Sequence, residues 1–137
     1  GHDIGEEDTP LQAGLGFAVD WSKPNFRGRD ALLRAKEAGV SSRRLVQIRL
    51  EGGDNAPMLY HEEPILRGGQ IIGSVTSGGF GHRIDSSLGL GYVSHPDGVT
   101  RDFLNSESFE VEVACERILA TLQLGAFYDP KNERIKA

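Results

Sequence analysis

The run Gly73-Ser74-Val75-Thr76-Ser77-Gly78-Gly79-Phe80-Gly81-His82 sets glycines beside hydroxyls. That pairing lets backbone N–H and side-chain O–H groups close around a phosphate. A phosphate-binding P-loop needs Gly-Lys-Ser/Thr at the start of a helix, and a dinucleotide fingerprint needs a helix after its last glycine. Neither follows here, so the run is expected to be a turn or bulge where the backbone passes close to a neighbour. Ser77 and His82 are the residue types of a nucleophile and its base, but no strand-to-helix elbow frames the serine. His2, His61, His82 and His95 lack metal-ligand spacing. His61-Glu62-Glu63 has no second histidine of a zinc helix and runs into Pro64, so a solvated loop is expected there. Glu6-Glu7-Asp8 lacks the spacing of a calcium loop. Cys115 is the single cysteine, which excludes an internal disulfide and a CxxC zinc site and leaves a structural thiol as the expectation. From these residues alone, neither a catalytic residue nor a metal site is expected.

The elements that would position such residues change character along the chain. Leu15, Phe17, Val19 and Trp21 alternate, which predicts a strand that Ser22-Lys23-Pro24-Asn25 ends. From Arg29 to Ala38, the spacing of Ala31, Leu32, Ala35 and Ala38 predicts a helix. Asp30 stands in its first turn, within reach of Arg34, and Gly39 caps its end. One strand and one helix cannot bury their apolar faces without partners. Residues 1–40 are therefore expected to close an α+β domain whose main part lies upstream. From Arg43 onward the pattern is all-β. Val46, Ile48 and Leu50 alternate with polar neighbours, and Pro64–Arg67 and Gln70–Ile72 flank Gly68-Gly69 as a hairpin whose turn needs positive φ. Ser87–Ser94 reads as another strand. Phe109, Val111 and Val113 alternate before the connection Ala114-Cys115-Glu116-Arg117, and Ile118–Leu124 returns. Short strands with glycine-rich turns predict a small antiparallel barrel or sandwich over residues 41–137.

Composition limits the partners. Hydrophobic residues at 38% and charged residues at 26% fit a folded soluble protein. A formal charge of -5 with no Lys/Arg run argues against nucleic acid or an acidic membrane surface. No apolar stretch approaches the roughly 20 residues of a bilayer-spanning helix.

Several stretches together resemble one family. Gly1-His2-Asp3-Ile4 through Thr9-Pro10-Leu11-Gln12-Ala13-Gly14-Leu15-Gly16-Phe17 is similar to the G-N-D-I…T-P-L-E-A-G-L-G-W segment of the glycine cleavage T-protein (aminomethyltransferase) family. Phe26-Arg27-Gly28-Arg29-Asp30-Ala31-Leu32 resembles its F-I-G-R-E-A-L, and Gly73-Ser74-Val75-Thr76-Ser77-Gly78 its G-x-I-T-S-G. Glu63–Gly73 and the ending Phe127–Lys136 are similar to the flavin-linked sarcosine and dimethylglycine dehydrogenases within that family.

The resemblance implies a Greek-key β-barrel from about residue 41 onward. It also implies a parent enzyme in which an upstream FAD domain oxidises a methylated amine and a folate unit captures the one-carbon group on tetrahydrofolate. The family's catalytic aspartate and pterin-binding glutamate would lie upstream of Gly1, so no catalytic residue is expected in this chain. The upstream domains would be its partners, in the cytoplasm of a bacterium or the mitochondrial matrix of a eukaryote. Lys23 falls where the family places an arginine near folate, with Arg27 close by, and Arg134 falls near the C-terminal stretch that approaches it. All three are expected to meet the carboxylates of the folate tail. The arginine that T-proteins often carry after the A-P-M turn is replaced by Leu59 and Tyr60. Two other readings stay open: the C-terminal part of a T-protein aminomethyltransferase or related folate-dependent demethylase, and a non-enzymatic barrel module.

Overall fold

The computed structural model describes residues 2–106 and 108–136; Gly1, Glu107 and Ala137 lie outside them. Six strands close a barrel: β1 (Arg43–Leu50), β2 (Pro64–Arg67), β3 (Gln70–Gly81), β4 (Ser86–Ser94), β5 (Phe109–Val113) and β6 (Glu116–Gln123). Their order is β1-β4-β3-β2-β5-β6, every pairing is antiparallel, and β6 returns to β1. β4 comes back to lie beside β1 rather than beside its sequence neighbour β5, which is the Greek-key connection. Closure leaves no strand edge open to another chain.

Alternation builds the interior. Val46, Ile48 and Leu50 of β1 point inward and meet Ile65, Val75, Val93, Val111 and Leu122 from the other strands. Helix α2 (Arg101–Ser106) adds Phe103 and Leu104 to this core, and Thr100 Oγ1 accepts the Phe103 N–H at 3.0 Å as its cap. That helix is not in the all-β expectation. The β2–β3 hairpin is as expected, with Gly68 at φ 54° and Gly69 at φ 80° in its two-residue turn. The β5–β6 connection is shorter than expected. Only Ala114 and Cys115 turn, at φ 50° and 68°, and Glu116 and Arg117 already pair in the ladder.

The glycine-rich run is strand as far as Gly81. It contains the expected bulge, because pairing slips between Val75 and Ser77 and leaves Thr76 as the extra residue. It also passes close to neighbours: a Cβ on Gly78 would stand 2.0 Å from the Leu59 carbonyl oxygen. Since β3 ends in a turn and opens no helix, this run cannot cradle a dinucleotide pyrophosphate.

Residues 15–21 are not a strand. Gly16–Ala18 form a single 3-10 turn, Phe17 is 86% exposed, and the Trp21 indole N–H donates to the Gly16 carbonyl at 3.2 Å. Alternation specifies a strand only where a neighbouring strand takes up the backbone hydrogen bonds, and none of the described strands pairs here. Helix α1 (Arg29–Glu37) forms as expected, and Gly39 follows at φ 94°, but no residue of the helix is buried and Asp30 and Arg34 form no ion pair.

Candidate functional site

Residues 2–14 lie as a strap against the outer face of the barrel, and the bulge in β3 anchors one end. In a regular strand, consecutive side chains point to opposite faces. The extra residue at the bulge brings two consecutive hydroxyls to one carboxylate oxygen: Thr76 Oγ1 and Ser77 Oγ each donate to Asp3 Oδ1 at 2.7 Å. Further along, Asp8 pairs with the Arg43 guanidinium, and Leu45 N–H donates to the Gln12 carbonyl at 2.8 Å. Tyr92 points outward from β4 between inward Gly91 and Val93, yet it is buried, with the Arg43 guanidinium 3.7 Å above its ring.

The electrostatics follow from these contacts. The Gly5 N–H, aided by Arg43, holds the Asp8 carboxyl below the usual carboxylate range. Burial pushes the Tyr92 phenol up, and the negative charge of Asp8 adds to the shift. The Tyr92 hydroxyl is buried without a hydrogen-bond partner. Asp3 and Asp8 of the strap are thus committed to tethering.

The tempting sequence pairs do not assemble into catalytic sites. The Ser77 hydroxyl donates its hydrogen bond to Asp3, while His82 packs edge-on against Phe80 at 5.1 Å. His61 stacks with His2 at 6.1 Å. Cys115 is exposed at its hairpin turn. Among the described residues, no group of three or more His, Cys, Asp or Glu side chains is placed to hold a metal ion, and no helix is long and apolar enough to cross a membrane.

Lys23, Arg27 and Arg134 are all exposed. Lys23 and Arg27 lie on the stretch that leads into α1, where the Lys23 carbonyl accepts from Arg29 Nε at 3.0 Å. Arg134 belongs to a separate turn, where the Asp129 carboxylate accepts the Glu133 and Arg134 backbone N–H groups at 2.8 and 3.1 Å. Its guanidinium lies 5.7 Å from the Tyr128 ring centre. This turn rests on β1, because the Phe127 N–H donates to Gln47 Oε1 at 3.2 Å and Arg49 lies over the Phe127 ring. No hydrogen bond or ion pair joins this turn to the stretch of Lys23 and Arg27 among the described residues. Among the described residues none of the three cations enters a salt bridge, so each can meet a ligand carboxylate. Leu59, at the position after the A-P-M turn, is fully buried in the core, whereas Tyr60 is exposed.

Three further cations, Lys36, Arg44 and Arg101, line one cavity between the strap and the two helices. They stand on α1, β1 and α2, so no periodicity within one element could have grouped them.

Residues 43–129 match the family described as the glycine cleavage T-protein C-terminal barrel domain. Over 137 residues the chain is 37% identical to the mitochondrial sarcosine dehydrogenase of Homo sapiens, a match covering 98% of this chain and 14% of that protein. Over 93 residues it is 44% identical to an aminomethyltransferase of Thermosynechococcus vestitus, covering 68% of this chain and 24% of that one. The crystal structure of glycine cleavage system aminomethyltransferase T from Bartonella henselae superposes with a TM-score of 0.72 at 27% identity, over 89% of this chain and 32% of that chain. The chain therefore spans about a third or less of each protein it is compared with.

Proposed function

The chain belongs to the glycine cleavage T-protein C-terminal barrel family, and from that premise we propose that it is the C-terminal part of a tetrahydrofolate-dependent one-carbon enzyme, the folate unit of a FAD-linked sarcosine or dimethylglycine dehydrogenase. The observation that carries this reading is the reach of the likeness. The match to the sarcosine dehydrogenase takes in 98% of the chain, whereas that to the aminomethyltransferase takes in 68%.

Bound tetrahydrofolate would supply the amine nitrogens that accept the one-carbon unit. The contribution of this chain is to hold the ligand. Lys23, Arg27 and Arg134 are exposed and enter no ion pair among the described residues, which suits the two carboxylates of the folate tail. Arg134 can present its fork bidentately, while Lys23 offers a point charge. This reading assigns the barrel no general acid or base: Ser77 is hydrogen-bonded to Asp3, Asp8 is paired with Arg43, and His82 packs on Phe80. FAD and the reacting atoms belong to the upstream part of the parent. That part would also cover Leu15 and Phe17, which are exposed here, and the unburied face of α1. Residues 1–40 would complete the preceding folate-binding domain, and residues 41–137 would form the C-terminal one. The parent would reside in the mitochondrial matrix of a eukaryote or the cytoplasm of a bacterium.

The test is the parent protein itself. Purified, it should show flavin absorbance that sarcosine or dimethylglycine bleaches anaerobically, and it should form methylenetetrahydrofolate when folate is added. A parent without flavin that turns over only with a lipoyl carrier protein would establish the second reading, an aminomethyltransferase. The higher identity of 44% to that class, over its shorter span, favours this alternative.

A further inference from the structure

The cavity lined by Lys36, Arg44 and Arg101 is not accounted for by the folate reading. It has a volume of about 670 Å³ and lies between the strap, the end of α1 and the start of α2. No Asp or Glu lines it. In a chain with 20 acidic and 15 basic residues, three cations and no acid around one cavity run against composition. None of the three enters an ion pair among the described residues.

Arg44 gives the second sign. Its Nε–H is buried and has no hydrogen-bond partner. The guanidinium lies against Gly14, where a Cβ would stand 3.5 Å from Nη2, so the strap closes over it. Folded proteins pair nearly all such buried donors, and a buried N–H without an acceptor is costly. An anionic oxygen in the cavity would remove that cost. Lys36, whose ammonium is 4.2 Å from the Trp21 ring centre, and Arg101 are exposed at the rim. Leu11, Val40, Val99 and Leu124 supply apolar wall.

We propose that this cavity binds a small organic polycarboxylate. The volume suits an organic ligand, for which pockets run from about 300 to 1,000 Å³. Cations on three different elements call for separated charges on an apolar body, which a compact inorganic anion lacks. Lys23, Arg27 and Arg134 do not line it, so the site is distinct from the folate contacts proposed above.

The test titrates the intact parent enzyme, free of folate, with isophthalate at low ionic strength and neutral pH, by calorimetry, with isophthalamide and inorganic phosphate as comparisons. The expected result is saturable one-site binding of isophthalate that weakens with salt, at least tenfold weaker binding of phosphate, and none of the neutral amide. Each rim cation is worth roughly 1.5- to 5-fold. The double variant Lys36→Gln/Arg101→Gln should therefore lose about 2- to 25-fold in affinity and keep its circular dichroism spectrum. Arg44→Lys, which removes the fork, should lose about tenfold or more. Should that buried substitution impair folding, the rim pair alone decides. Absence of saturable binding, equal binding of the amide or of phosphate, or unchanged affinity in the rim variant would overturn the proposal. Displacement of isophthalate by tetrahydrofolate would also overturn it, by making the cavity part of the folate site. A parent lacking flavin would leave this result untouched, so the two readings fail separately.

Discussion

Substituting Gly78 with alanine tests the close approach that lets β3 run through its glycine-rich stretch. The new Cβ would stand 2.0 Å from the Leu59 carbonyl oxygen, 2.3 Å from the carbonyl carbon and 2.5 Å from the Leu59 Cβ. Ordinary contact lies near 3.5 to 4 Å, so the backbone at Leu59 must retreat by about 1.5 Å. That retreat draws a fully buried leucine out of the core. Overpacking alone costs about 1–3 kcal/mol, and emptying a leucine site costs about 2–5 kcal/mol. The expected loss for Gly78→Ala is therefore about 3–5 kcal/mol. At a urea slope of about 1–3 kcal/mol per M, the unfolding midpoint should fall by more than about 1 M. The next residue provides the control. A Cβ on Gly79 meets nothing within 4 Å, so Gly79→Ala should stay within about 0.5 kcal/mol of the wild-type chain. A Gly78→Ala midpoint within about 0.3 M of wild type, or equal losses in both variants, would refute the packing argument.

Three more outcomes follow from the geometry. Because the folded-state pKa of Asp8 lies below its ordinary value of 3.8, its contribution is full above that value and is lost as pH falls through the lowered one. Protection of the Leu45 amide from hydrogen exchange should therefore drop below about pH 4, and Asp8→Asn should be less protected at neutral pH and lack this acid step. Cys115 holds φ 68° in a two-residue turn, so Cys115→Gly should relieve about 0.5–1 kcal/mol and raise the melting temperature by about 2–4 °C, read by calorimetry. In the parent enzyme, Lys23→Ala, Arg27→Ala and Arg134→Ala should each raise the tetrahydrofolate Kd by about 1.5- to 5-fold if the ion pair is exposed, and up to roughly a hundredfold if it is desolvated. Flavin reduction by the amine should not change, and folate affinity unaffected by all three at low ionic strength would show that these cations are plain surface charge.

The legible parts of the fold are those in which a local signal determines the structure. Gly68-Gly69 between two apolar runs identifies a turn that needs positive φ, and Val46, Ile48 and Leu50 mark the inward face of β1. The alternation of Leu15, Phe17, Val19 and Trp21 is equally regular, yet it yields a 3-10 turn, because a strand is completed by its neighbour and no described strand pairs there. The glycines of residues 73–81 suggest a turn when read locally. Their reason is distant: Gly73 and Gly78 clear the backbone of Tyr92 and Leu59. Helix α2 left a readable mark in Thr100, whose hydroxyl caps Phe103, but six residues are too few for a period to show. Of the site, the sequence could offer single cations at family-like positions. It could not offer the grouping of Lys36, Arg44 and Arg101, which exists only once the strap has folded back onto the barrel.

The motifs that carry the family likeness prove to be joined physically. The aspartate of the opening stretch and the Thr76-Ser77 pair of the glycine-rich stretch meet in one set of hydrogen bonds across the bulge. A bulge costs the sheet a ladder position and leaves a residue unpaired. Here the unpaired residue is Thr76, and its hydroxyl and that of Ser77 fasten the segment that precedes the barrel. The same segment covers Tyr92, pairs Asp8 with Arg43 and encloses Arg44. These motifs are thus better understood as joinery than as chemistry. They fix residues 2–14 against the barrel, and with them the start of the stretch that leads to Lys23 and Arg27. Phe127 anchors the turn of Arg134 to β1 in the same way. In this reading the barrel needs no reactive residue of its own, because it fixes both segments through which the chain would reach the ligand.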